Sequence, residues 1–76
     1  MVGSATVVLR VKFIGGSQMD VTIDEPDVSE DELVEHAIAV LAQDSGVLRA
    51  RHGGRLVVVF ARGVAAVEIA PRGAVL

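Results

Sequence analysis

From Val7 onward apolar and polar side chains alternate. Val7, Leu9, Val11 and Phe13 fall on one side and Val8, Arg10 and Lys12 on the other, the period-two pattern of a strand. "IGGSQ" supplies glycines for a turn slightly longer than the tightest hairpin type. Met19, Val21 and Ile23 then alternate with Asp20, Thr22 and Asp24, so a second strand pairs back on the first. In "DEPDVSEDELVEHAIAVLAQDSG" the period changes. Pro26 breaks the extended run, Ser29 stands where a helix N-cap belongs, and Glu32 three residues on completes a capping-box pattern. Leu33, Val34, Ala37, Ile38, Val40 and Leu41 recur at helical spacing, with Gly46 placed to stop the helix, which predicts an amphipathic helix of about 14 residues. "VLRAR" alternates again, "HGG" is a turn, "RLVVVF" a strand, "ARG" a turn, and "VAAVEIA" a last strand that Pro71 ends.

This order, ββαβββ, predicts a single small α+β domain over residues 1–76, an antiparallel sheet of four to five strands with one helix packed on one face. One helix covers one face only. If Leu56, Val58 and Phe60 lie under it, the pleat sends Val57 and Val59 to the other side. In the last strand, Val67 and Ile69 inward leave Val64, Ala66 and Glu68 outward. An uncovered face of an antiparallel sheet is normally polar. A patch of Val57, Val59, Val64, Ala66 and Val8 therefore predicts a cover, either a second copy of the chain or another protein.

Length sharpens that expectation. A chain of 76 residues buries a smaller fraction of its surface than a larger one does and commonly needs a staple. With no Cys, disulfides and thiolate zinc sites are excluded, which leaves oligomerisation. Aromatic residues make up 3%, Phe13 and Phe60 alone, so base-stacking platforms are poorly supplied. No apolar run reaches the roughly 20 residues that span a bilayer, and "MVGSATVVLRVKF" lacks the pattern of a signal peptide. The expected setting is soluble and cytoplasmic, with no membrane partner.

The net charge of −3 hides an asymmetry: residues 1–45 carry two basic against nine acidic groups, and residues 46–76 carry five Arg against Glu68. Arg49, Arg51 and Arg55, with His52 in the turn, form a basic edge. If the first and third strands are neighbours, Arg10 and Lys12 extend it into a stripe suited to phosphates. That makes a nucleic-acid-associated regulator the alternative function. The scarcity of aromatics and the negative total weigh against it, and a solvated or salt-bridged face answers the same pattern.

Candidate chemistry is thin. Glu32 and His36 lie one helical turn apart, but no second His stands at metal-site spacing. The acidic run from Asp24 to Glu35 has no Gly for a calcium loop. Gly15-Gly16 and Gly53-Gly54 lack the phosphate-loop context, and no Ser stands in a nucleophile elbow. No catalytic residue, metal or cofactor is expected, and the chain reads as a non-enzyme.

The segments "LRVKF", "SEDELVEHAIAVLAQDSGVL" and "FARGVAAVEIA", in that order, resemble the short actinobacterial proteins grouped as domain of unknown function 3107. In that family an aromatic residue is expected where Ala66 stands, and the "ARGV" turn is a residue longer here. The resemblance brings no activity and no catalytic residues. It implies a small cytoplasmic α+β protein of an actinobacterium or of a phage of such a host. Together these readings predict a non-enzymatic interaction or assembly module acting as a homo-oligomer, through the outer sheet face or an exposed strand edge.

Overall fold

The computed structural model describes residues 4–70. The chain runs β1 (Ala5–Phe13), β2 (Gln18–Glu25), α1 (Glu30–Leu41), β3 (Val47–His52), β4 (Arg55–Phe60), a 3-10 turn over Ala61–Gly63, and β5 (Val64–Ile69). This is the expected ββαβββ order and α+β class. The strands make one five-stranded sheet of spatial order β4-β3-β2-β1-β5, every pairing antiparallel. Pro71, expected to end the last strand, lies outside the described residues.

Strict alternation holds β1 and β2 in register from Ala5↔Glu25 to Lys12↔Gln18, because a slip of one residue would turn every core side chain to water. Val7, Leu9, Val11, Val21 and Ile23 face inward beneath α1, where Leu33 and Ala37 close over them; Leu48, Ala50 and Val59 complete the core. The helix lies chiefly against β1 and β3. β2 and β3 meet at a single bridging pair, Thr22↔Arg51. A second tie sits at the tip of the β3-β4 hairpin, where His52 Nδ1 is 2.7 Å from the Asp20 carbonyl oxygen. A carbonyl only accepts, so that ring nitrogen carries the proton. His52, expected in a Gly turn, is the last residue of β3, and the left-handed backbone belongs to Gly53 (φ 57) and Gly54 (φ 82).

α1 starts as its sequence requires. Ser29 Oγ accepts from the Glu32 N–H at 3.1 Å, and Glu32 Oε1 accepts from the Ser29 N–H at 3.2 Å, so two otherwise orphaned donors are satisfied. Its end differs from expectation. The helix spans 12 residues and is capped at Ala42, and Gly46 comes four positions later, where its N–H donates to the Gln43 carbonyl. Space, not a left-handed angle, requires glycine there: a Cβ on Gly46 would collide with the Val40 carbonyl.

Candidate assembly edge at the fourth strand

The face of β4 is decided by its turn. Gly53 and Gly54 form a two-residue loop with both φ values positive, the geometry of a type I′ hairpin. His52 therefore faces Arg55, and the ladder continues through Ala50↔Val57 and Leu48↔Val59 to Val47↔Phe60. Directly opposed residues share a face. Because Leu48 and Ala50 are buried, Val57 and Val59 must point to the helix side, and Val59 is only 3% exposed.

This corrects the expected interface. Val57 and Val59 are inward, not outward. Leu56, Val58 and Phe60 are on the open face, 71%, 45% and 57% exposed, joined by Val47 at 46%. Val64 is also inward: the β1-β5 register shifts between Lys12 and Phe13, which places Val64 opposite Phe13 and against the core. Ala66 is outward as expected, but opposite Lys12. The three outward apolar residues of β4 were missed because "LVVVF" has no polar residue to mark its parity. Reading "GG" as a two-residue loop after His52 would have carried the parity of Leu48 and Ala50 across the turn.

The open face of β2, β1 and β5 is charged. Arg10 Nε lies 2.9 Å from Asp20 Oδ1, and Lys12 Nζ lies 2.9 Å from Glu68 Oε2, with Arg10 4.0 Å from the same Glu68 carboxylate. The condition for a basic stripe is not met, because β2 separates β1 from β3, and Arg10 and Lys12 are matched to carboxylates. Arg49, Arg51 and Arg55 are exposed and make no ion pair with a carboxylate among the described residues. Arg49 and Arg51 instead flank the apolar strip, opposite Val58 and Leu56.

Hydrogen bonds from Arg10 and Lys12 hold the Asp20 and Glu68 carboxyls below the ordinary carboxylate range. A carboxylate depressed in the folded state adds stability above its unfolded pKa and loses it as pH falls through the folded one. Acidification should therefore weaken the fold, modestly, because both groups are exposed. In an NMR titration, Arg10→Ala should raise the midpoint of Asp20; an unmoved midpoint would contradict the assigned cause.

β4 and β5 are the sheet's two edges, and they differ. β5 pairs across a register shift and carries Glu68 in ion pairs, features that blunt an edge. β4 is in regular register over all six residues from Arg55 to Phe60, with no bulge, no Pro and one charge, at its end. Its backbone is also poised outward. Ala61 N–H donates to the Gly46 carbonyl and His52 faces Arg55, so the odd-numbered residues bond to β3. In an alternating ladder that turns the N–H and C=O groups of Leu56, Val58 and Phe60 to the free edge.

Two recesses elsewhere have less to offer. One of about 310 Å³, where β2 and β3 part, sets Asp24 and Glu25 near Arg49 and His36, and no ion pair joins these groups. The other, also about 310 Å³, between α1 and β5, is lined by Val34, Ile38, Leu41, Val67 and Ile69 among other aliphatic residues and has no polar side chain to select a ligand. No group of three or more metal-ligating side chains gathers among the described residues, and none of their helices is long and apolar enough to cross a membrane.

The fold and this edge together define a small α+β domain with one face closed by a helix and one strand edge left apolar and unprotected. No protein-family model, curated protein or solved structure matches the chain.

Proposed function

We propose that the protein is a non-enzymatic interaction and assembly module that self-associates by strand addition at the β4 edge. The observation that carries this is the regular outer edge of β4, which no strand pairs among the described residues, with Leu56, Val58 and Phe60 exposed beside their outward backbone groups. A strand edge of this kind pairs readily with another chain, and soluble proteins ordinarily guard against it. Stacking through the open face is disfavoured, since it would bury the ion pairs of Arg10, Lys12, Asp20 and Glu68 at a large desolvation cost.

The test is solution mass by light scattering across a concentration series. The wild type should exceed the 7.9 kDa of one chain, and Val58→Asp should return it to that mass with unchanged circular dichroism. Val58→Pro is a second probe, because it removes an outward N–H without breaking a bond to β3. A wild type that stays monomeric throughout would overturn the reading.

A further inference from the structure

Resting on that assembly reading, we infer that the strand added to β4 is β4 of a second copy, antiparallel, about a two-fold axis normal to the sheet at Val58. Such an axis keeps the open face of both copies on the same side. Opposed residues of an antiparallel pair share a face, so even-numbered positions must meet even-numbered ones. These are also the residues whose N–H and C=O groups point outward. Centring on Val58 sets Val58 against Val58, Leu56 against Phe60 and Val57 against Val59, so every apolar side chain of the strip meets another.

Charge permits this register. Arg55, the one ionised residue of β4, falls opposite Ala61 of the second copy, and no like charges meet. Centring on Val57 would leave Phe60 facing Gly54, so the strip would lose an apolar pairing. Among the described residues no helix covers the junction, because α1 lies chiefly over β1 and β3. The arrangement is closed: pairing consumes both β4 edges, and the remaining edges are the blunted β5 strands, so growth stops at a dimer.

The chain has no Cys, so single-cysteine variants report this geometry without background. The axis places the two Val58 Cα atoms about 5.5 Å apart and the two Leu56 positions, like the two Phe60 positions, about 14 Å apart. With a thiol reagent that spans adjacent strands but not the longer gap, Val58→Cys should crosslink at least tenfold more than Leu56→Cys or Phe60→Cys alone. A mixture of the Leu56→Cys and Phe60→Cys chains should crosslink to each other. Equal crosslinking of Leu56→Cys and Val58→Cys overturns the register, and crosslinking at all three positions overturns the antiparallel sense. A dimer that crosslinks at none of them overturns the use of this edge. A wild type monomeric by mass instead removes the assembly reading itself, so the two failures are distinguishable.

Discussion

Replacing Gly46 with Ala should lower the melting temperature by on the order of 15 °C, the largest effect expected of so small a change. The added methyl meets the Val40 carbonyl, which is backbone and cannot rotate away. Relief would require moving the end of α1 or the start of β3. Gly46 is also tied on both sides: its N–H donates to Gln43, and its carbonyl accepts from Ala61, each at 2.9 Å. Overpacking at so constrained a point costs about 3 kcal/mol, and in a domain this small each 1 kcal/mol moves the melting temperature by roughly 4–8 °C. Thermal unfolding followed by circular dichroism measures it. A shift below a few degrees would show that the joint between α1 and β3 can open. Loss of self-association would be expected to follow, because Ala61, the residue after β4, is held by the same bond.

Leu9→Ala is the second. Leu9 is completely buried at the middle of β1, and β1 pairs with both β2 and β5. Truncation removes its transfer free energy and leaves a cavity, together about 3 kcal/mol. A chain of 76 residues has a total stability of about 4–11 kcal/mol, so the variant should lose a large share of it. Chemical denaturation should show the midpoint falling sharply with an unchanged slope. A changed slope would mean that the native or unfolded ensemble itself had altered. Leu9 faces the helix, away from the open face, so a folded fraction of this variant should still associate. That separates damage to the core from damage to the edge.

The elements whose residues alternate or recur with a clear period were legible. The β1-β2 hairpin follows from Val7, Leu9 and Val11 set against Val21 and Ile23, and the start of α1 follows from Ser29 and Glu32, because both signals are local. The end of α1 was less legible: Gly46 is conspicuous, yet its reason is a close approach to Val40, which a linear sequence does not display. The candidate edge was half legible. The apolar excess of "RLVVVF" was evident, but a run without polar residues carries no parity, and the face was assigned the wrong way round. Val64 was misassigned for a related cause, since the shift after Lys12 changes the parity carried along β5.

Alone, the sequence determined the α+β class, the order of elements, the position of the helix cap and the presence of more apolar surface than one helix can cover. These depend on hydrophobic period and on residues within a turn of one another. Only the tertiary structure decided which strands are edges, that β2 keeps Arg10 and Lys12 apart from Arg49 and Arg51, and that Leu56, Val58 and Phe60 face water. Those outcomes depend on strand order and register, which are set by contacts between residues far apart in the chain.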